Sequence, residues 1–255
     1  MTIQTKSKFY YMDSVSSTNQ YVDFNEGGSE LTATLTSGSY TLTDFATELA
    51  RAMTAAGGQT YTATLNRTTR KITLSASSNF SLLLSSGSHT ASSGLVLAGF
   101  SGSSDRTSTN SYEGAGTCGS AYLPQYFLQK YVPSTNLQKE VMPSINQSAS
   151  GKVEVLSFGT VKFIEMEIPF CTSLSQSGAA IENNATGEAD VRSFLQAIVK
   201  KIDFEFIPDR DTVATFQKVI LESTPEDSKG VGYRLREMLP LAGYFTTGKL
   251  ILRVV

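Results

Sequence analysis

The sequence predicts a mainly β protein, β-sandwich-like with α+β elements, that divides into two β-rich domains with one main helix each. Apolar and polar residues alternate with period 2 in several short stretches, the pattern of a strand with one buried and one solvated face. Only two stretches repeat apolar residues clearly at helical spacing. With 255 residues and 40% hydrophobic content, the chain can bury two cores, because one core serves roughly 100–200 residues.

The N-terminal half contains the best ordered pattern. From Leu31 to Leu35, apolar residues alternate with threonines, which predicts a strand. Ser37-Gly38 then predicts a tight turn, because glycine tolerates the positive φ of hairpin turns. The strand after this turn is predicted at Tyr40–Leu42, so the two segments are expected to pair as a hairpin.

A helix is predicted over residues 43–56. Thr43 can cap its N-terminus, and Gly57 is suited to the position that follows its C-terminus. The apolar stripe of this helix recurs at helical spacing. It consists of Phe45, Leu49, Met53 and Ala56.

Further short strands complete the N-terminal half. They are predicted at residues 9–12, 21–24, 61–65, 72–74 and 80–84. Residues 101–119 are poor in apolar side chains and rich in Gly, Ser and Thr, which predicts a linker or a long surface loop. We therefore expect domains at residues 1–115 and 116–255. In an alternative, the N-terminal half is inserted into a sheet that begins at residues 9–12, so that the first strand belongs to the second domain.

The C-terminal half has more charge and one strong helix prediction, at residues 188–201. Glu188 and Asp190 place negative charge at its start and Lys200-Lys201 place positive charge at its end, as the helix dipole favours. Its apolar stripe includes Phe194 and is expected to pack with the strands that follow. Strands are predicted at residues 126–132, 153–158, 163–170, 202–206, 216–221 and 249–255.

Composition excludes several classes of function. The formal net charge is −2, from 21 Lys and Arg against 23 Asp and Glu, which argues against nucleic-acid binding because that function shows a concentrated basic excess. No stretch approaches the ~18 apolar residues of a membrane helix, and the start MTIQTKSKFYYMD lacks the apolar core of a signal peptide. We therefore expect no nucleic-acid partner, no membrane partner and synthesis in a cytoplasm. Cys118 and Cys171 form no disulfide framework, and both are expected to be reduced.

Two patterns imitate functional motifs. Residues 114–119, GAGTCG, match G-x-G-x-x-G, but a dinucleotide site needs a strand before the motif and a helix after it. A Ser/Thr-rich stretch precedes it here and Tyr122-Leu123-Pro124 follows, which favours a loop. Glu165 and Glu167 lie about 6.6 Å apart along a strand, near the separation of a glycosidase pair, but a solvated strand face explains them better.

The remaining candidates are acidic residues and one histidine. Asp203, Glu205 and residues 209–211 offer oxygen ligands without the order of a calcium loop, so a salt-bridged surface is favoured. His89 is the only histidine; a zinc site would need both cysteines and a carboxylate to converge, and a flexible loop position is favoured. The sequence therefore predicts no catalytic, cofactor-binding or metal-binding residue and no cofactor.

The order of these patterns resembles that of structural proteins of tailed bacteriophages. The N-terminal residues that carry the resemblance are DFNEGGSELTATLTSGSYTLTDFATELARAM, YTATL, RKITLSASSNFSLLLSSG and GLVLAGF. The C-terminal residues are KKIDFEFIPDRDTVATFQKVILES and GVGYRLREMLPLAGYFTTGKLILRVV, which are similar to the ends of tail and baseplate proteins.

The resemblance implies a non-enzymatic virion component, most plausibly a distal-tail or baseplate ring subunit that links the tail tube to tip proteins. It further implies a homo-oligomeric, six-fold ring, an outer N-terminal domain, a ring-forming C-terminal domain and contacts with other tail proteins. Head-tail connectors and capsid decorations are alternative locations. A carbohydrate-binding module is the other alternative, because 11 Tyr and 14 Phe could supply stacking platforms for a host glycan.

Overall fold

The computed structural model describes residues 7–123, 137–140, 144–147, 153–156, 160–168, 191–222, 236–237 and 245–255. Within these ranges the protein has a five-stranded sheet, a seven-stranded sheet, two two-stranded ribbons and two α-helices. Neighbouring strands are antiparallel throughout. The mainly β class with α+β elements is therefore confirmed. No helix in these ranges combines the length and the hydropathy needed to cross a lipid bilayer.

The elements are numbered here in chain order. The N-terminal elements are β1 (Lys8–Tyr11), β2 (Tyr21–Asn25), β3 (Leu31–Thr34), α1 (Leu42–Ala56), β4 (Tyr61–Asn66), β5 (Lys71–Leu82), β6 (Arg106–Glu113) and β7 (Ser120–Tyr122). The C-terminal elements are β8 (Leu137–Glu140), β9 (Ser144–Gln147), β10 (Val153–Leu156), β11 (Thr160–Glu167), α2 (Val191–Ile198), β12 (Phe204–Ile207), β13 (Gln217–Leu221), β14 (Arg236–Glu237), β15 (Phe245–Thr246) and β16 (Lys249–Val254).

The first sheet has the order β3-β2-β5-β4. Strand β6 lies outside this order and also pairs with β5. The predicted hairpin between residues 31–35 and 40–42 is wrong. Strand β3 instead pairs with β2, where Val22 lies opposite Ala33. Gly38 bonds to Val15 through two backbone hydrogen bonds of 2.8 and 3.0 Å, and Leu42 already belongs to α1. Alternation identified the strand, but it carries no information about which strand lies beside it.

Helix α1 packs its apolar stripe on this sheet and confirms the predicted helix with two changes at its ends. Thr41, rather than Thr43, caps it by accepting a hydrogen bond from the amide of Asp44 at 3.1 Å. Gly57 ends it with extended backbone, φ −97°. A Cβ at Gly57 would lie 2.5 Å from Oε1 of Glu26, so close approach of a carboxylate explains this glycine.

Residues 101–119 were predicted to form a linker or a long surface loop, and this prediction is wrong for residues 106–113, because they form strand β6. Strand β6 pairs with β5 at an edge of the first sheet, and Thr107 and Ser111 on it are exposed. Ser75 and Ser111 place their hydroxyl oxygens 2.9 Å apart across the pair. Tyr112 is buried and donates to the carbonyl of Phe80 at 2.7 Å. The residue-115 domain boundary stays a prediction.

Strand β5 merges two predicted strands. Residues 72–74 and 80–84 were expected to form separate strands, but β5 runs through Lys71–Leu82 with register shifts against β6. It pairs with β4 over its first half, so the strands predicted at residues 61–65 and 72–74 lie side by side in a hairpin.

The second sheet has the order β7-β1-β12-β13-β16-β11-β8. The first strand of the chain therefore lies beside β12, with Phe9 opposite Phe206, which is the pairing that the insertion alternative described. Strands β1 and β12 have apolar residues on both faces. Phe9 and Phe206 belong to a core shared with α2, whereas Tyr10 and Ile207 belong to the core of the first sheet. These two strands thus lie between the two cores.

Helix α2 covers the second core, as predicted, but it ends at Ile198 rather than at residue 201. Phe194 lies against Tyr122 and Phe9, with ring centroids 4.6 and 4.8 Å away. The other buried members include Leu195, Ile198, Phe204, Leu250 and Leu252. Several predicted segments lie outside the described residues. They are residues 188–190 of the predicted helix, the predicted strand at 126–132 and the ends of the strands predicted at 153–158 and 163–170.

A buried ion pair joins the two sheets. Glu205 of β12 is 0% exposed and accepts from Nη2 of Arg67 at 2.5 Å, and the Arg67 side chain is 15% exposed. Nη1 of Arg67 also donates to the Thr43 hydroxyl at 2.8 Å, and Nε donates to the Val213 carbonyl at 2.6 Å. The guanidinium carbon lies 4.1 Å from the ring centroid of Phe216.

The surface interpretation of Glu205 is therefore wrong. In Phe204-Glu205-Phe206 the alternation predicts that the carboxylate faces away from the aromatic core, and it does. The other face of β12 is covered by the first sheet and α1, so the carboxylate meets Arg67 rather than water. A second bridge lies nearby, where Nζ of Lys218 contacts Asp44 at 3.0 Å and Asp203 at 3.1 Å.

Substitution of Phe194 by alanine is expected to lower the free energy of unfolding by about 3–5 kcal/mol, because it removes a ring from the centre of the second core. Urea denaturation followed by circular dichroism measures this loss. Phe163, half-buried on the opposite face of β11, is the matched control, and Phe163→Ala should cost clearly less. Equal losses would contradict the assignment of Phe194 to the core.

Substitution of Arg67 by methionine is expected to destabilise the protein by about 3–5 kcal/mol, because it leaves the carboxylate of Glu205 buried without its cation. The double variant Arg67→Met/Glu205→Gln should lose less than the sum of the single variants, since a neutral amide can still accept from Thr43. Urea denaturation of all three variants forms a double-mutant cycle. Lys71→Met, which removes the exposed pair with Glu113, should cost no more than about 1 kcal/mol. Additive losses would contradict the coupling of Arg67 and Glu205.

Candidate functional site

A serine-rich loop, residues 83–93, is fixed to the first sheet by three carboxylates. Asp23 lies on β2, Glu30 lies just before β3, and Asp105 lies just before β6. Each accepts hydrogen bonds from the loop. Backbone amides that would otherwise need water are satisfied in this way.

Asp105 holds the first part of the loop. One carboxylate oxygen accepts from the amide and the hydroxyl of Ser85 at 2.8 and 2.9 Å and from the amide of Ser86 at 3.2 Å. The other accepts from the Ser86 hydroxyl at 2.5 Å. These bonds, that of the Ser86 hydroxyl first, lower the pKa of Asp105 from 3.8 to about 2, because they favour the ionised form.

Glu30 and Asp23 hold the second part of the loop. Glu30 accepts from the amide and the hydroxyl of Ser88 at 2.8 and 3.1 Å. Asp23, 2% exposed, accepts from the amide of His89 at 2.6 Å, while its other oxygen lies 3.0 Å from Nδ1 of the same histidine. The Thr32 hydroxyl donates to that second oxygen at 2.8 Å.

Two neighbours complete the position of His89. The ring of Tyr21 lies against the imidazole, with centroids 4.3 Å apart and planes inclined by 30°. Gly87 allows the loop to approach, because a Cβ there would lie 2.6 Å from both Cβ and Oδ2 of Asp23. His89 lies in a loop, as predicted, and two hydrogen bonds and a ring contact orient it there.

The ligand atoms of Asp23, Glu30 and His89 form a compact group. One atom from each residue lies within 4.8 Å of the others. Two carboxylates and an imidazole are donors for a divalent metal ion. An Asp–His pair also resembles the base of a nucleophilic triad, but within the described ranges no hydroxyl or thiol bonds to Nε2 of His89, so a nucleophile is lacking there.

The other motifs singled out in the sequence do not join this group. Gly114–Gly119 connects β6 to β7, so a strand does precede the motif, contrary to expectation. A strand rather than a helix follows it, and the N-terminus that would bind a pyrophosphate is not formed there. The amide of Gly116 donates to Gly99 at 2.9 Å, which shows that the glycines pack backbone against backbone.

The carboxylates and cysteines of the second half also lie elsewhere. Glu165 is half-buried on β11, and the side chain of Glu167 lies outside the described residues. Asp203 and Asp211 make ion pairs at the surface, as predicted. Cys118 is fully buried, and this burial, with Glu205 as a smaller cause, raises the pKa of its thiol to about 12. Cys171 lies outside the described residues.

One sequence signal could have identified the group. Asp23 interrupts an aromatic strand, Tyr21–Phe24, between two apolar residues that prove to be buried. A carboxylate in such a strand needs hydrogen-bond donors, which implies that another segment lies against it. Nothing in the local pattern identifies that segment as the one around His89, because the two residues are 66 positions apart.

Comparison with known proteins adds no relative. No protein-family model matches the sequence, and no curated protein is detectably similar to it.

The carboxyl carbon of Asp105 is expected to titrate near pH 2 rather than near 3.8 in carbon-detected NMR. Since the pKa is lower in the folded protein, the stabilising effect of its bonds is fully present above about pH 4. It is lost as the pH falls towards 2. The amide signals of Ser85 and Ser86 should shift over the same interval, and Asp105→Asn should abolish that transition. A midpoint near 3.8, or amides that do not respond, would contradict the hydrogen bonding described.

Proposed function

We propose that this protein is a non-enzymatic structural subunit of a bacteriophage tail, a distal-tail or baseplate ring component that links the tail tube to tip proteins. The resemblance of the sequence to such proteins motivates the proposal. The observation that carries it is that several carboxylates accept hydrogen bonds from backbone amides of the same chain. They hold its own backbone in place, which suits a rigid building block.

Among the residues that the structure describes, five carboxylates accept hydrogen bonds from backbone amides 12 to 66 positions away. The pairs are Asp23 with His89, Glu26 with Gly58, Glu30 with Ser88, Glu48 with Thr36, and Asp105 with Ser85 and Ser86. Arg51 supports Glu48 with two bonds of 2.6 Å and is the main reason why the pKa of Glu48 falls to about 2. Long-range hydrogen bonds of this kind join loops and turns to the sheets, and they therefore restrict the conformations that the surface can adopt.

On the face of the second sheet opposite α2, strands β13, β16 and β11 carry half-buried and exposed side chains, and this part, the outer face, supports assembly through the C-terminal half. Phe163 and Ile220 lie on either side of Arg253 in the strand register. An open depression of about 520 Å³ lies at this face. It is lined by Val161, Lys162, Ile220, Arg253, Val254 and Val255. Apolar, aromatic and arginine side chains together are typical of the centre of protein interfaces. We assign this face to contacts between copies of the chain in a six-fold ring.

Carbohydrate binding is the second proposal, and the two functions are compatible in a tail tip. Tyr21 supports it, because this half-buried ring lies beside carboxylates that could bind sugar hydroxyls. His89 covers one face of that ring. Most phenylalanines of the described residues pack inside, including Phe9, Phe24, Phe45, Phe80, Phe100, Phe194 and Phe204. Core packing therefore explains the aromatic content first.

Antibodies raised against the purified chain are expected to label the distal end of the tail in electron micrographs of the phage that encodes it. The ring would appear in an image reconstruction as a six-fold layer in which the C-terminal half faces inward. Labelling of the capsid surface or of the head-tail junction would overturn the location. Reproducible binding of a glycan array by a monomer, without association with particles, would favour the carbohydrate-binding module.

Two exposed valines allow a matched test of the ring contact. Val255 lies at the outer face and is 63% exposed, and Val96 lies in the first half and is 61% exposed. Val255→Asp is expected to reduce incorporation into particles in a complementation assay, because a carboxylate would be desolvated at the contact. Val96→Asp should have no such effect, and both variants should unfold at the parent temperature. Equal incorporation of the two variants would contradict the assignment of the contact to this face.

A further inference from the structure

We propose that Asp23, Glu30 and His89 bind one divalent transition-metal ion of the zinc class. The ion would tie the loop of residues 83–93 to the β2–β3 hairpin. This inference is independent of the proposed role in a phage tail, since it depends only on the chemistry of the three side chains.

The first argument is charge. Asp23 and Glu30 bring two carboxylates together, and Asp23 is almost completely buried. Within the described ranges neither makes an ion pair with a lysine or an arginine; their ionisable partner is His89. When the imidazole is neutral, the group carries two negative charges without a cation. A divalent ion would compensate both, and a charge so close to a buried carboxylate is strongly stabilising.

The second argument is distance. Nδ1 of His89 and Oδ1 of Asp23 are 3.0 Å apart. Two ligands bound at the usual zinc distances of about 2.0–2.2 Å, at angles between octahedral and tetrahedral, lie about 2.9–3.5 Å from each other. The ion would therefore replace the proton between these two atoms without displacing the residues, and the neutral imidazole would carry its proton on Nε2 instead. The Glu30 side chain is exposed, and one of its oxygens lies within 4.8 Å of the other two ligand atoms, so a small shift of this side chain can close the remaining distance.

The third argument is orientation. Contact with Tyr21 and the bond from the His89 amide to Asp23 hold the imidazole with Nδ1 directed at the carboxylate. The Thr32 hydroxyl donates to Asp23, and the Ser88 amide and hydroxyl donate to Glu30. Outer hydrogen bonds of this kind orient metal ligands.

The ligand set indicates the class of ion. One imidazole nitrogen with two carboxylate oxygens suits zinc or a similar borderline ion, whereas calcium and magnesium prefer ligand sets made of oxygen alone. Three protein ligands leave at least one position for water. The effect that we assign to the ion is structural, because it would link two segments that are 66 positions apart in the sequence.

Calorimetric titration of the metal-stripped full chain with ZnCl₂ at pH 7.5 tests the proposal. A Cys171→Ser background prevents that thiol from competing. We expect one ion per chain. Glu30→Gln and His89→Gln should each weaken binding by about tenfold or more, because changes even to outer-sphere partners cost 10–100-fold. Absence of saturable zinc binding would overturn the proposal, even if Ca²⁺ or Mg²⁺ bound.

Asp105→Asn is the matched control. It loosens the same loop through Ser85 and Ser86 but removes none of the three proposed ligands. Its zinc affinity should stay within about threefold of the parent, well short of the tenfold loss expected for a ligand. An affinity loss as large as that of Glu30→Gln would show that binding follows loop order rather than these ligands, and would overturn the proposal.

NMR supplies a direct readout, because His89 is the only histidine of the chain. The ¹⁵N spectrum of the imidazole therefore contains one Nδ1 and one Nε2 signal. Saturating zinc is expected to shift the Nδ1 signal to the position of a metal-bound nitrogen while Nε2 carries the proton of the neutral ring. Unchanged ring signals, or a shift at Nε2 instead, would place the ion elsewhere and overturn the assignment.

Discussion

The contact between Arg67 and Glu205 is the interaction on which the arrangement of the two sheets depends. Glu205 lies on a strand that has a core on each side, so its carboxylate has no access to water. A charge in that position is tolerated only with a bonded counter-charge. Arg67 supplies it from the turn between β4 and β5, 138 positions earlier. The same guanidinium bonds to α1 and to Val213, so one side chain fixes the first sheet against the second.

The same principle operates on a smaller scale in the first sheet. Its serine-rich loop at residues 83–93 has few buried apolar residues and cannot be held by burial alone. Carboxylates do this instead, because each oxygen can accept more than one hydrogen bond and ionised acceptors form the stronger bonds. Asp105 binds two consecutive amides in this way, and Glu26 binds Gly58 next to a glycine whose missing side chain makes room for it. These hydrogen bonds restrict the conformations that the surface loops can adopt.

A rigid surface is relevant to both proposals. A subunit that repeats around a ring must present the same contacts in every copy, and ordered loops lower the entropy lost on assembly. A metal ion at Asp23, Glu30 and His89 would also make the surface more rigid. It would bind only the folded loop and would thus stabilise that loop. The ring contact and the metal site lie on different sheets, so each can fail without the other.

The sequence by itself determined the class of the protein, most of its strands, both helices and the residues that make the cores. The alternation in Leu31–Leu35 and the apolar stripe around Phe194 are local patterns that show which side chains face a core. Hydrophobic periodicity detects this kind of burial. The identity of neighbours was decided only by the tertiary structure. Strand β3 pairs with β2, the Ser/Thr-rich strand β6 lies on an edge, Glu205 meets Arg67, and Asp23 meets His89. Each of these contacts joins segments that local pattern cannot relate, because hydrogen bonds and charges act between neighbours in space, whatever their distance along the chain.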